Sequence, residues 1–124
     1  MSMPSSHDPA GGDAVFDRPS LLERLMDDEE LVRELVEAFI ADTPSQVSAL
    51  QAAFAAGDLV QTERVAHRIK GSAANLSACR LQEVAQVLET TAHEGNGEKA
   101  AAIVPLIDAE FLRAKSAMQA SFGL

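Results

Sequence analysis

Residues 59–78 read LVQTERVAHRIKGSAANLSA. Apolar or small side chains recur there at Leu59, Thr62, Val65, Ala66, Ile69, Ala73 and Leu76, in steps of three and four that define one buried stripe on an α-helix. At roughly 100° per residue, His67 projects away from that stripe, with Glu63, Lys70, Gly71 and Ala74 as neighbours one turn to either side. The imidazole is therefore expected to face solvent or a partner from a rigid surface. Gly71 is out of place by propensity, because a glycine inside a helix costs about 1 kcal/mol relative to alanine. What it offers is clearance: without a Cβ one turn beyond His67, another protein's backbone can approach the ring closely. Lys70 supplies a mobile positive charge three residues from His67, placed to offset negative charge brought to the ring.

The flanking sequence predicts more helices. Gly57 and Asp58 end one helix and cap the next, with Gln61 at the capping-box position. Upstream, Val32, Leu35, Val36, Phe39, Ile40, Thr43, Val47, Leu50 and Phe54 share one apolar phase that carries through Pro44, so one helix kinked at the proline is expected over residues 28–56, capped by Asp27 or Asp28. Ser20 followed by Glu23 forms a capping box for a short helix from Leu21 to Met26. Downstream, Ser77 is the expected N-cap of a helix burying Leu81, Val84, Ala85, Leu88 and Ala92. Gly95-Asn96-Gly97 is a turn, and a last helix buries Ala100, Ile103, Ile107, Phe111, Ala114 and Met118. With no period-2 run of β-branched residues, the fold class is all-α: an antiparallel four-helix bundle with a short N-terminal capping helix. Residues 1–14 lack periodicity and are expected to be a disordered leader or linker, leaving 15–124 as the helical bundle domain.

Composition narrows the function. The 124 residues are 47% hydrophobic with no Trp or Tyr, which fits one domain with an aliphatic core. No apolar run approaches a membrane span and no signal peptide opens the chain, so a cytoplasmic protein without membrane insertion is expected. The net charge of −9 argues against nucleic acid as a partner. Against that acidic background Arg64, Arg68, Lys70 and Arg80 gather around His67, an electropositive spot suited to an acidic or phosphorylated partner. Cys79, the only cysteine, allows no internal disulfide and is expected to pack as a small apolar residue. No phosphate-cradling glycine loop is present, so the chain is not expected to use ATP itself. The Glu-x-x-His pairs that mark metal-binding bundles are missing: Glu63 and His67 are four apart, as are Glu89 and His93, and no metal is expected. His7 and His93 are expected to be solvated, and Met26 and Met118 to be core filler or surface.

The run from His67 to Ala78 resembles the phosphoacceptor motif of histidine-containing phosphotransfer (HPt) domains, where His is followed by an apolar residue, Lys, Gly and small residues. The likeness extends in order through Val15-Phe16-Asp17, Leu21-Leu22, Asp28-Glu29-Glu30-Leu31, Phe39, Leu50, Gly57-Asp58, Ala66-His67 and Leu88-Glu89. Ser77 departs from it, since many members carry Gly there, which bears on the local turn. The resemblance implies a phosphorelay carrier that accepts a phosphoryl group on His67 from a receiver-domain aspartyl phosphate and passes it to another receiver, with Mg²⁺ supplied by the receiver. It implies no cofactor of the carrier's own, no catalysis by an ATP site, and a monomer whose partners are receiver domains of response regulators or hybrid kinases. Lys70 and Gly71 would serve the site, and Arg64, Arg68, Ala74 and Asn75 would contact the partner. Residues equidistant from the Ser77 turn lie level on antiparallel helices, which sets Glu89 beside His67. The family places Gln or Glu at this position, so Glu89 is expected to take the Nδ1 hydrogen and leave Nε2 free to attack. Two other functions fit the residues less well: the phosphoacceptor domain of a chemotaxis-type histidine kinase, and a receiver-docking adaptor that is never phosphorylated.

Overall fold

The computed structural model describes residues 15–124, so the expectations for residues 1–14, His7 included, lie outside the described residues. The described chain forms α1 (Arg18–Arg24), α2 (Glu29–Ala55), α3 (Leu59–Asn75), α4 (Cys79–His93) and α5 (Gly97–Phe122), with no strand among the described residues. Helices α2 to α5 pack each against the next, and α5 returns to α2, closing an antiparallel four-helix ring in which α3 and α4 form the most extensive pair. The stripes read from the sequence converge on one core in which Val36, Leu50, Val65, Ile69, Leu81, Leu88, Ile107 and Met118 are fully or almost fully buried. Phe39 and Phe111 meet across α2 and α5 with ring centroids 5.7 Å apart.

Short polar side chains set the starts of three helices. Asp28 accepts from the Leu31 N–H, Asp58 from Gln61 and Asn96 from Lys99, each at 3.0 Å, which satisfies backbone donors that have no partner within the helix. Helix α2 continues through Pro44, whose exposed position keeps the lost hydrogen bond off the core side.

Two expected caps are displaced. Helix α1 is capped by Asp17, not Ser20: the Asp17 carboxylate accepts from the Ser20 N–H at 3.1 Å, and the Asp17 N–H donates to the Ser77 carbonyl at 2.9 Å. The chain therefore enters the helix earlier, with Pro19 in the first turn, where a missing N–H does no harm. Helix α4 starts behind Ala78, which makes no side-chain cap bond. Ser77 instead has φ 56, the left-handed conformation that glycine adopts freely, and its hydroxyl accepts from Arg24 Nη2 at 2.7 Å. The same Arg24 nitrogen donates to the Asn75 carbonyl at 3.0 Å, so α1 caps the C-terminus of α3 from outside. Arg18 clamps the other flank of α1 to α5 through the Ser121 carbonyl at 2.8 Å.

Leu35, expected in the α2 stripe, is 36% exposed. It lies at the rim of a groove against Ser72 and Asn75 of α3, residues too small or polar to cover it. Met118 is core, whereas Met26 is 89% exposed at the left-handed end of α1. Cys79 is half-buried and burial pushes its thiol pKa up, with the Asp17 and Glu83 carboxylates adding to the effect, so it stays protonated near neutral pH.

Candidate functional site

The buried stripe of α3 anchors Val65, Ala66 and Ile69 in the core and thereby turns His67 outward, its side chain 64% exposed. Facing it on α4 is Glu89, held on the flank of that helix by buried Ala85, Leu88 and Ala92. His67 Nδ1 lies 2.9 Å from Glu89 Oε2, and no partner of Nε2 occurs among the described residues. An ionised carboxylate can only accept, so Nδ1 carries the hydrogen and the Nε2 lone pair is left outward.

Glu89 has a second partner. Lys70 Nζ stands 2.6 Å from Glu89 Oε1 and donates to Gln86 Oε1 at 3.1 Å. The Lys70 ammonium holds the Glu89 carboxyl below the usual carboxylate range, outweighing partial burial, and the His67 bond acts in the same direction. Lys70 is thus tethered to the carboxylate behind the ring instead of free beside Nε2, and it fixes Glu89 as Glu89 fixes His67.

Three of the four side-chain contacts between α3 and α4 share one register, Lys70 to Glu89 being the exception. His67 and Glu89 lie eleven residues on either side of Ala78, Lys70 and Gln86 eight, and Glu63 and His93 fifteen. Antiparallel helices of equal rise keep such pairs level. Equidistance pointed to Glu89 from the sequence. Applied again, it would have found Gln86 and the Glu63 partner of His93, whose Nδ1 lies 3.0 Å from Glu63 Oε2.

Around the ring is an open depression of about 350 Å³ lined by Glu63, Arg64, His67, Arg68 and Glu89. Arg64 and Arg68 form no ion pair with a carboxylate of the described residues, leaving their charge available at the depression. The other expected neighbours lie elsewhere. Arg80 follows the α3–α4 turn, level with Leu76, and so stands about 13 Å along the helix axis from His67. Ala74 and Asn75 end α3: their carbonyls accept from Arg24, and Asn75 lines the groove against α2. A Cβ built on Gly71 meets nothing within 4 Å. No cluster of three or more His, Cys, Asp or Glu side chains placed to hold a metal occurs among the described residues.

A small helical bundle that offers an unencumbered ring nitrogen at a depression lined by two free cations has the form of a group carrier. Residues 34–117 match the family model of the Hpt domain, and the chain belongs to the histidine-containing phosphotransfer family. It is a phosphorelay carrier that shuttles phosphoryl groups between receiver domains and does not itself catalyse from ATP. The crystal structure of histidine-containing phosphotransfer protein B from Pseudomonas aeruginosa PAO1 is similar, with a TM-score of 0.80 and 25% identity over 86% of this chain and 93% of that one. The HPT domain of the Hpt sensor hybrid histidine kinase from Shewanella shares the fold, with a TM-score of 0.78 and 15% identity over 90% of this chain and 96% of that one. No curated protein sequence matches the chain.

Proposed function

We propose that His67 is the phosphoacceptor of this carrier, that Glu89 and Lys70 hold its ring, and that Gly71, Arg64 and Arg68 form the approach to it. The observation that carries this is the 2.9 Å contact between His67 Nδ1 and Glu89 on an exposed ring whose Nε2 has no partner among the described residues. The Nε2 lone pair attacks the phosphorus of a receiver's aspartyl phosphate. The P–O bond to the aspartate breaks, its electron pair leaving as carboxylate, and an N–P bond forms at Nε2. The ring becomes formally cationic with its Nδ1–H still donating to the Glu89 carboxylate, which stabilises the charge that transfer creates. The reverse sequence delivers the group to the next receiver.

Mg²⁺ and the acidic pocket belong to the receiver in this scheme, and the carrier provides position and charge. Gly71 supports a partner-facing role, because the fold would accept a Cβ there and helix propensity would favour one. Arg64 and Arg68 complement the anionic group in transit. Ala74 and Asn75, at the end of α3, would contact the receiver further out along the groove against α2. The carrier is taken to act as a monomer in the cytoplasm, since exchange requires the one ring to meet each receiver in turn. The test is incubation with a phosphorylated receiver domain and Mg²⁺, scoring acid-labile, alkali-stable phosphate on the chain. Wild type should carry it and His67→Gln should not, with an unchanged melting temperature; phosphate retained on the variant would refute the assignment.

A further inference from the structure

The sequence Glu63-x-x-Ala66-His67 on α3 recurs as Glu89-x-x-Ala92-His93 on α4. Because the helices run antiparallel in the register set by Ala78, each histidine meets the other copy's glutamate: His67 Nδ1 to Glu89 at 2.9 Å and His93 Nδ1 to Glu63 at 3.0 Å. The second pair lies outside the chemistry described above. Yet Glu63 lines the same depression as His67 and stands one turn from it on the same flank. A phosphoryl group on Nε2 would bring about two negative charges to that depression, and a carboxylate swinging freely beside it would oppose them.

Resting on His67 as the acceptor, we propose that His93 is a positioning residue that holds Glu63 on the α4 side of the depression and keeps its charge off the phosphoryl group. The charges around Glu63 leave His93 as its holder. On α3 its charged or titratable neighbours are Arg64 and His67. From α4 it faces His93, with Glu89 one turn away and already committed to His67 and Lys70. The stretch of α2 packed beside this part of α3, residues 43–56, carries no charged residue, and the first turn of α5 offers only Glu98 and Lys99. His93 is poorly suited to accept phosphate itself: it ends α4, where the helix dipole favours a cation over an anion, and Glu94 follows it.

The experiment measures single-turnover transfer from a receiver domain loaded with acetyl phosphate, in the presence of Mg²⁺, to the full chain, with the phosphorylated residue located by peptide mapping. His93→Ala should slow phosphorylation of His67 by about two- to fivefold at low salt, as expected for one screened charge roughly a helix turn away, and the loss should shrink in about 0.5 M salt. His93→Gln, which keeps an N–H for Glu63, should stay near wild type. The Glu63→Gln/His93→Ala double variant should regain the wild-type rate, because the charge to be held is gone. A His93→Ala rate equal to wild type, or a double variant as slow as His93→Ala, overturns the proposal while leaving His67 as acceptor. Phosphate mapping to any residue but His67 in wild type overturns both.

Discussion

Replacing Gly71 with alanine should make the domain more stable and a poorer carrier. The glycine lies inside α3 with ordinary helical backbone, and a Cβ there meets no atom within 4 Å, so the substitution brings no clash to offset its gain in propensity. The expected gain is about 0.8–1.0 kcal/mol, which for a domain of this size raises the melting temperature by about 3–4 °C. The same methyl projects on the exposed side of α3, one turn beyond His67, where under the proposed assignment a receiver brings its aspartyl phosphate in line with Nε2. Displacing that approach by as little as about 1 Å can lower transfer by up to about a hundredfold. Thermal melts followed by circular dichroism at 222 nm, paired with single-turnover transfer from a phosphorylated receiver, separate the two effects. A variant that gains stability and transfers at the wild-type rate would show that Gly71 is not kept for clearance. A variant that loses stability would contradict the open space beside it.

Glu89→Ala should slow transfer while Glu89→Gln largely preserves it, since an amide oxygen can still accept from His67 Nδ1; equal losses in single-turnover rates would assign the effect to the carboxylate charge that also binds Lys70. The lowered Glu89 pKa means that its contribution to stability is complete above the ordinary carboxylate value of about 4.3 and is lost as pH falls through the folded-state value. Wild type should therefore lose stability relative to Glu89→Gln below about pH 4, and urea melts with a pH-independent difference would refute the pairing. Ser77→Ala should destabilise by about 1–2 kcal/mol through loss of the Arg24 bond, while Ser77→Gly, which loses the same bond but relaxes φ 56, should be more stable than the alanine variant by roughly 1 kcal/mol. Identical denaturation midpoints for the two would rule out left-handed strain at Ser77.

Periodicity carried most of the fold because each long helix buries a single stripe, and burial at three- and four-residue steps leaves its mark on composition wherever one face is dry. It misplaced Leu35 because a stripe says which side is apolar but not how far a neighbouring helix reaches across it. The caps failed where several short polar residues stood side by side: Asp17 prevailed over Ser20 because its N–H also reaches Ser77, and Ser77 was diverted from capping α4 by Arg24. Both contacts join segments about fifty to sixty residues apart, beyond the range of local capping rules. Glu89 was legible because helix register is arithmetic once the turn is located. The attachment of Lys70 to Glu89 was not, since a flexible four-carbon stem can reach either the ring or the carboxylate behind it.

Under the proposed assignment of His67, the duplicated Glu-x-x-Ala-His sequence means that a histidine held at Nδ1 by a carboxylate is not enough to make an acceptor. Both His67 and His93 have that contact, at nearly equal length, and both rings are largely exposed. What separates them is the course of the helix after the histidine. Helix α3 runs on for two more turns to Asn75, presenting Lys70 to brace Glu89 and the bare surface of Gly71 to a partner. Helix α4 stops at His93, so the residues at the corresponding offsets, Asn96 and Gly97, belong to the cap and first turn of α5, and the negative end of the α4 dipole opposes any anion placed on that ring. In the roles proposed for them, one arrangement of side chains, set mid-helix in one copy and at a C-terminus in the other, gives a ring to carry a phosphoryl group and a ring to hold a neighbouring carboxylate.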